Sequence, residues 1–535
     1  MNTLTGTGRL VRLILRRDRV IMPLWVLFLG LVPLSYVATI DDLFPAAADR
    51  IRYATTSANN AGFVALYGGL HGSSLGELVA WRAGFLPVII GLAGILAVIR
   101  HTRTEEDTGR RELLGSTVVG RHAPLAAALV ATFGANLVMG LVLAGGMVGQ
   151  DLPGAGSLAF GLEMAASGWI FAAFGAVAAQ LAGAGGTARG IAIMTLGVAY
   201  VLRIVGDISA MSDGPLSWLT WLSPIGWVQR IRPYGEDLLW PALLVVVVTV
   251  LLTLVAVALS ARRDVGAGLL PPRPGPAVAP ATLSSPLGLA WRLHRGLLAG
   301  WAGGFVALGI VMGYLAEGVG DLVGDNKEMR EVFARMGGST GLIDNYLAST
   351  LGLFGMVTAA YAIQAMLRAR NEEVAERAEP VLATAVGRLH WVGSHLLFSL
   401  LGPAVTLAAA GVAMGLTHGL NVRDVGGELP RILGGAMVQL PAVWVLSAVT
   451  VLLFGVLPRL AAVAWAALSA CLLIGLIGPA LQLDQWVMDI SPFTHVPHVP
   501  GTDVTATPLV WLLAVAVVVG IVGLSGLRRR DIPVT

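Results

Sequence analysis

Two charged stretches of this apolar chain carry nearly the same residues in the same order. Residues 103–121 read RTEEDTGRRELLGSTVVGR and residues 370–388 read RNEEVAERAEPVLATAVGR, and the two ungapped copies are identical at nine of nineteen positions. They are hereafter the first and the second charged stretch. Their repeated carboxylates and guanidinium groups can form strong charged hydrogen bonds, within the protein or with a partner. The candidate docking residues are Glu105, Glu106, Arg110, Glu112 and Arg121, with Glu372, Glu373, Arg377, Glu379 and Arg388.

Two interpretations of the charged stretches are open. Arginines beside a membrane fix the orientation of a protein, but that role needs no glutamates at fixed positions. On a continuous helix Glu106 and Arg110 would be four residues apart, as would Glu373 and Arg377, and each pair would contribute about 0.2–0.5 kcal/mol. Because that gain is a weak reason for the pattern, we expect the repeated acids to dock onto a partner with two equivalent sites.

Other residue patterns offer little chemistry. A phosphate-binding loop needs G-x-x-x-x-G-K-[ST], and the only lysine is Lys327, in GDNKEMR. We therefore expect no nucleotide hydrolysis by this chain, no enzyme activity and no cofactor in it. His495 and His498 are three residues apart without a third ligand nearby, so we expect no metal site. The single cysteine, Cys471, excludes an internal disulfide.

The elements that must position the charged stretches are membrane spans. Of the 535 residues 56% are apolar and 13% are charged, and the mean hydropathy is +0.77, whereas soluble domains carry about 25% charged residues. The apolar runs are continuous and rich in Ala, Leu and Gly, which favours helices over barrel strands. We predict an all-α membrane protein with spans near 20–40, 83–100, 124–146, 157–182, 187–205, 239–260, 297–316, 347–367, 394–417, 432–457, 460–481 and 508–527.

The repetition extends beyond the charged stretches. Two further motifs recur, WLTWLSP (218–224) with WVMDISP (486–492) and ARRD (261–264) with RRRD (528–531). We interpret the arginines of ARRD and RRRD as plain membrane anchors. We therefore predict two six-span halves, 1–264 and 286–535, joined by a cytoplasmic linker at 265–285 that is rich in Pro, Ala and Gly. An even number of spans per half makes the repeats parallel, with a pseudo-twofold axis along the membrane normal.

The arginines predict the orientation. With the N-terminus in the cytoplasm, the segments on that side contain 24 of the 35 Lys and Arg residues and the rest of the chain contains 11. Because positively charged loops stay in the cytoplasm, we expect a multi-pass protein of the bacterial plasma membrane with both termini inside. The first span could alternatively be a signal peptide, since AAA follows at 46–48, but the apolar run is longer than the about 7–15 residues of such a segment.

The arrangement resembles the type-2 ABC exporter permeases. The shared features are an arginine-rich helix before each first span, an EE…R.E…T.VGR loop after each second span, and an SP segment before each last span. The sequence is most similar to duplicated bacterial permeases assigned to the export of polyketide antibiotics. The residues that carry this likeness are SPIGWVQRIRPY (223–234), ARRDVGAGLLPPRPGPA (261–277) and AEPVLATAVGR (378–388).

The resemblance implies a function and its partners. It implies an efflux permease for hydrophobic or amphipathic compounds such as drugs or polyketide antibiotics. The partners would be the lipid bilayer, the hydrophobic substrate and two copies of an ABC ATPase that bind ATP and Mg²⁺, with no nucleic acid. The substrate itself, and export rather than import, do not follow from the sequence.

The resemblance also assigns residues to roles. In that family the loop after the second span is a coupling helix that fits a cleft of the ATPase, so both charged stretches are assigned to coupling. The segments 206–238 and 482–507 are assigned to an outer gate, with Trp218, Trp221, Pro224, Trp227, Trp486 and Pro492. A substrate path is assigned to Phe85, Met194, Tyr200, Phe354, Met356, Tyr361 and Gln364. Such aromatic and thioether side chains suit bulky apolar ligands, but at helical spacing they serve equally well as packing.

The alternative function is a secondary active multidrug transporter of the major facilitator type, which also has twelve spans. DTGRR at 107–111 resembles part of its loop motif, but the spacing is one residue short and the second copy reads VAERA.

Glu163 is a carboxylate inside the fourth predicted span, where it would cost about 2.5–3.5 kcal/mol at mid-membrane. A structural position and a proton- or substrate-binding role are both open for Glu163, and the matching position in the second half is Pro430.

Overall fold

The computed structural model describes residues 3–211, 213–270, 277–321, 338–477, 484–502 and 505–530. Within these ranges the chain consists of helices, turns and loops, and it contains no strand. The chain divides into two compact units, Met1–Gly275 and Pro276–Thr535. Lys327 and parts of the predicted linker and outer gate, at 271–276, 212, 482–483 and 503–504, lie outside the described residues.

Each unit is a set of helices of very different lengths. In the first unit they are α1 Thr7–Arg17, α2 Ile21–Leu43, α3 Ala47–Ala58, α4 Ala61–Tyr67, α5 Leu75–Arg82, α6 Leu86–His101, α7 Arg103–Asp107, α8 Arg110–Gly115, α9 Ala123–Val148, α10 Gly154–Leu181, α11 Gly185–Met211, α12 Pro224–Gln229 and α13 Trp240–Ala261. In the second unit they are α14 Pro286–Asp321, α15 Gly338–Val374, α16 Glu379–Leu382, α17 Arg388–Asn421, α18 Val425–Met437, α19 Leu440–Val456, α20 Ala464–Ile477, α21 Gln485–Met488 and α22 Ala506–Arg529.

Twelve helical segments of the described chain are long and apolar enough to cross a membrane, which confirms the predicted all-α membrane fold with twelve spans. The ends differ from the predicted ones most clearly in the second unit. The segments there run Pro286–Ala316 rather than 297–316, and Arg388–Asn421 rather than 394–417. The reason is that a helix continues through polar residues beyond the hydrocarbon layer, so hydropathy does not mark its ends.

The core of the first unit is built around α10, which is the most buried of its membrane segments. Glycines allow α10 to approach its neighbours closely. A Cβ at Gly140 of α9 or Gly161 of α10 would collide with the carbonyl of the other residue, and a Cβ at Gly94 of α6 would lie 2.7 Å from the carbonyl oxygen of Gly168. Small residues take this role in lipid, where close packing holds helices together.

The second unit uses the same kind of packing around α19. A Cβ at Gly455 of α19 would collide with the backbone of Gly523 in α22. The Ser399 hydroxyl of α17 lies 2.7 Å from the carbonyl oxygen of Ala362 in α15 and 2.7 Å from the hydroxyl of Ser447 in α19. These contacts hold α15, α17, α19 and α22 together, and they bring the residue after α22, Arg530, beside the second charged stretch.

Candidate functional site

The first charged stretch is two short helices joined by a left-handed turn. α7 ends at Asp107, and α8 begins at Arg110 after Gly109, whose φ is 71°. Glycine adopts this conformation without the steric penalty of a side chain. The predicted continuous helix with a Glu106–Arg110 pair is therefore wrong. Arg110 lies instead 3.5 Å from Glu105, which also binds Arg17 of α1 at 2.5 Å.

Glu106 is the centre of a buried network of arginines. Its side chain is fully buried, and its oxygens accept hydrogen bonds from Arg103 at 2.9 Å and from both terminal nitrogens of Arg263 at 2.7 Å. Arg111 is its third ion-pair partner. Because its side chain is enclosed by its own unit, Glu106 presents no surface to a partner. Arg263 of the ARRD motif binds Glu106 and Gln180 rather than acting only as a membrane anchor.

The arginines of this network also bind backbone carbonyls at the ends of other helices. Arg103 donates to the carbonyl oxygens of Gly183, Gly266 and Ala267, and Arg121 donates to those of Ala261 and Arg263. Asp107 accepts a hydrogen bond from the backbone N–H of Gly185, the first residue of α11, at 2.6 Å. The buried part of the first charged stretch, around Arg103 and Glu106, is therefore fixed to the ends of α10, α11 and α13. We call the buried part of each charged stretch its base.

Arg111 keeps its positive charge at neutral pH although it is part of this buried network. Burial, with Arg263, Arg103 and Arg121 nearby, lowers the pKa of Arg111 to about 10. Burial also lowers the pKa of Arg263 from its ordinary value. A guanidinium with a pKa of about 10 is almost entirely protonated at pH 7, so Glu106 is held among positive charges.

The second charged stretch is built on a similar ion pair within its own unit. Glu373 binds Arg530 at 2.5 Å, and both side chains are largely buried. Arg377 lies 3.1 Å from Glu372 and not beside Glu373, because the helix ends at Val374 and Glu376 adopts a φ of 58°. The predicted Glu373–Arg377 helical pair is therefore wrong. Arg530 of the RRRD motif binds this stretch, as Arg263 binds the first.

The two units repeat these contacts at matching positions. Glu106 and Arg263 are 157 residues apart in the sequence, and so are Glu373 and Arg530. Arg121 donates to the carbonyl of Arg263 at 3.1 Å, and Arg388 donates to the carbonyl of Arg530 at 2.7 Å. Arg370, which matches Arg103, donates to the carbonyl of Pro458 at 2.8 Å. The repeated residues therefore hold each charged stretch to its own unit.

Other residues of each charged stretch are exposed. In the first stretch Glu112 and Arg110 are exposed, and so are Leu113 (74%) and Val118 (71%). In the second stretch Glu379 and Arg377 are exposed, and Val374 is 71% exposed at the start of the turn. We call the exposed part of each charged stretch, which contains Glu112 or Glu379, its tip. A tip that combines exposed apolar and charged side chains on a fixed base is suited to docking on another protein.

The residues assigned to a substrate path lie in different surroundings. The rings of Phe85 and Tyr200 are 5.6 Å apart, with the guanidinium of Arg203 4.7 Å from the Tyr200 ring, whereas Met194 is 69% exposed on α11. In the second unit Phe354, Met356 and Tyr361 are buried packing residues, and Gln364 is exposed and accepts a hydrogen bond from Trp301. The structure thus brings Phe85 and Tyr200 together but does not gather the whole set within either unit.

The residues assigned to the outer gate form a tryptophan cluster in the first unit. The ring of Trp221 stacks on Trp240 at 5.5 Å, and the Arg230 guanidinium lies 4.1 Å from its centre. Trp227 donates to the carbonyl of Trp221 at 2.6 Å, Pro224 begins α12, and Trp218 is 54% exposed. In the second unit Trp486 is exposed and Pro492 is buried at the start of a short 3-10 turn.

Sequence reasoning missed Arg263 and Arg530, which it interpreted as membrane anchors. Their identical separation from a repeated glutamate was the available signal. Among the described residues, no group of three or more possible metal ligands forms around His495 and His498 or elsewhere. His495 instead lies 3.0 Å from the carbonyl oxygen of Asp489.

Comparison with known proteins places the chain in a family. The model of the family described as "Multidrug efflux system permease Rv1217c, C-terminal domain" matches residues 10–261 and 283–528, which include both charged stretches. The multidrug efflux system permease protein Rv1217c of Mycobacterium tuberculosis (strain ATCC 25618 / H37Rv) is 46% identical to this chain over 530 residues, which are 99% of this chain and 95% of that relative. The chain therefore belongs to the family of the multidrug efflux system permease Rv1217c C-terminal domain.

Proposed function

We propose that this chain is the membrane permease of an ATP-driven exporter of hydrophobic or amphipathic compounds, including drugs. A relative that matches nearly its whole length is named a multidrug efflux system permease, and twelve of its helical segments are long and apolar enough to span a membrane. Polyketide antibiotics are one substrate class of this kind. The protein would act in the bacterial plasma membrane with both termini in the cytoplasm.

The observation that carries the proposal is the construction of the two charged stretches. In each unit a buried ion pair, Glu106–Arg263 or Glu373–Arg530, fixes the base of the stretch to the end of the last membrane helix. The tip that contains Glu112 or Glu379 stays exposed. A partner that moves the tip would therefore move membrane helices with it, which is the requirement for a coupling element.

The motor of this exporter would be a separate protein. The sequence has no phosphate-binding loop, since its only lysine lies in GDNKEMR. We propose that two copies of an ABC ATPase bind ATP and Mg²⁺ and that each contacts one charged stretch. One copy of this chain would then suffice for a complete transporter.

The test is to reconstitute the purified chain in liposomes with and without its ATPase. We expect ATP-dependent accumulation of a hydrophobic drug only when both proteins are present, and a complex with one permease and two ATPase copies by native mass spectrometry. Drug movement driven by a proton gradient without the ATPase would contradict the proposal and favour a secondary transporter. A complex with two permease copies would contradict the proposed stoichiometry.

A further inference from the structure

A cavity of about 110 Å³ opens in the first unit, at the end of α10 opposite to the first charged stretch. Its walls come from the loop that follows α4, from α5, from α10, and from α12 with the turn after it. Residues from these walls include Tyr67, Trp81, Glu163, Gln229 and Arg232. At about 10–15 Å³ of such volume per water molecule, the cavity has room for a small polar group with its hydration or a few carbon atoms.

The walls of the cavity are built and fixed by specific hydrogen bonds. The Trp81 indole donates to the carbonyl of Gly68 at 2.9 Å, and the Gln229 amide donates to the carbonyls of Gly84 at 2.8 Å and Tyr67 at 3.2 Å. The turn after α12 holds Arg232 at a φ of 50° and Tyr234 at a φ of 64°. Such left-handed backbone at residues other than glycine costs free energy and often marks functional sites.

Glu163 contributes to the lining of this cavity, and its residue is only 3% exposed. No hydrogen bond or ion pair joins its carboxylate to another of the described residues. A buried carboxylate is costly unless it is paired or protonated. The cavity in front of Glu163 is therefore the place where a counter-charge can reach it.

The other charges around the cavity are already partnered. Glu77 accepts hydrogen bonds from the backbone and hydroxyl of Ser74 at 3.0 and 2.7 Å, and Glu236 binds Arg232 at 2.9 Å. Burial, with Arg232 and Arg230 nearby, lowers the pKa of His71, so this imidazole is neutral at pH 7. Three glutamates against one arginine make the lining acidic, and Glu163 is the carboxylate that has no partner in the described chain.

We propose that this cavity binds the ammonium group of an organic amine, with Glu163 as its counter-ion. Desolvation disfavours an isolated carboxylate anion, and a positive charge within about 4–6 Å stabilises the anion. The ring of Trp81 in the wall adds cation–π attraction, whereas the Tyr67 ring already faces the guanidinium of Arg82 at 4.8 Å. The apolar remainder of the amine lies outside the small cavity. The site belongs to the first half alone, because Pro430 stands at the position that matches Glu163. The binding of the amine does not depend on the proposed function. Export of the bound amine by this chain would rest on that function.

The test measures binding to the full-length chain in lipid nanodiscs, without any ATPase. The probe is monodansylcadaverine, a fluorescent primary amine, and the matched ligand is its N-acetyl derivative, which lacks the positive charge. We expect the amine to bind at least about tenfold more tightly than the acetylated ligand, which corresponds to about 1.4 kcal/mol. Equal affinities of the two ligands for the unaltered protein would overturn the proposal.

Two variants locate the site. Glu163→Gln keeps the shape of the side chain and removes its charge, so we expect amine affinity to fall at least about tenfold while affinity for the acetylated ligand stays the same. Glu236→Gln removes a charge at the rim and should change the affinity by less than about threefold. Unchanged amine binding in Glu163→Gln, or an equal loss in Glu236→Gln, would refute the assignment to Glu163.

If Glu163→Gln does not fold, Glu163→Asp replaces it, and we expect this variant to lose part of its affinity for the amine. Amine binding that persists without ATP-coupled transport would count against the proposed function alone.

Discussion

Arg263 and Glu106 form a bidentate ion pair, with both terminal nitrogens of the guanidinium 2.7 Å from the two carboxylate oxygens. The pair joins the second residue after α13, the last membrane helix of the first unit, to α7 at the end of its second membrane segment. Both side chains are at least 97% buried. A charged stretch that the sequence presents as a docking surface is therefore, at its base, part of the folded structure of its own unit.

The first prediction concerns Glu106. Glu106→Ala leaves Arg103, Arg111 and Arg263 without their shared carboxylate in a buried site. Removing one partner from a buried ion pair costs about 3–5 kcal/mol, so we expect a clearly lowered midpoint of thermal unfolding in detergent. The matched control is Glu112→Ala in the same stretch, which changes an exposed carboxylate and should alter the stability by less than about 0.5 kcal/mol. Equal destabilisation by both variants would contradict the network.

The second prediction concerns the ion pair of the second unit. Glu373→Ala, Arg530→Ala and the double variant form a cycle whose coupling energy we expect to be about 1–3 kcal/mol, because Glu373 and Arg530 are in direct contact and largely buried. Denaturant unfolding of the four proteins measures it. A coupling energy near zero would show that the ion pair contributes nothing, even if Arg530→Ala destabilises the protein through the loss of the Arg530 contact with Phe454.

The membrane spans could be predicted from the sequence because each needs only a continuous apolar run, and hydropathy is a local property. The same hydropathy pattern shows that the charged stretches begin where the second and eighth apolar runs end. The break at Gly109 was harder to predict, because a single glycine is tolerated inside many helices and only the left-handed turn shows that this one separates α7 from α8.

The long-range partners of Glu106 and Glu373 could not be found by local reasoning. Glu106 has an arginine four residues later, yet its carboxylate binds Arg263, 157 residues away. Side-chain pairing of this kind depends on which helix ends meet, and α10 brings them together through close glycine contacts. The cavity beside Glu163 depends likewise on segments far apart in the sequence, namely α5, α10, the loop after α4, and α12 with the turn after it. The sequence therefore left the role of this carboxylate open.

The third prediction concerns orientation. Asn59 and Ser284 are exposed, and the arginine distribution puts the first outside and the second in the cytoplasm. In a Cys471→Ala background, a membrane-impermeant maleimide applied to intact cells should label Asn59→Cys but not Ser284→Cys. After the cells are broken, both should react. Labelling of Ser284→Cys in intact cells would show that the predicted topology is inverted.

The last prediction concerns the exposed tips, where a docking partner would have to bind. Glu112→Arg and Glu379→Arg reverse one exposed charge in each stretch without touching the buried pairs. Added positive charge favours retention on the cytoplasmic side, so we expect normal membrane abundance. Because losing a close charge pair at an interface costs about 2 kcal/mol or more, we expect each reversal alone to abolish most of the drug-stimulated hydrolysis by the co-purified ATPase, since both stretches act in one cycle.

The control must leave the bases of the stretches intact. Arg263 and Arg530 are unsuitable, because their loss removes the partners of Glu106 and Glu373. Arg262 and Arg529 are exposed neighbours of these residues, so Arg262→Glu and Arg529→Glu reverse a charge near the same membrane surface but away from the tips. We expect both to keep stimulated hydrolysis. If Glu112→Arg and Glu379→Arg behave like these controls, the tips do not carry the coupling contact, and the repeated residues serve only to hold each unit together.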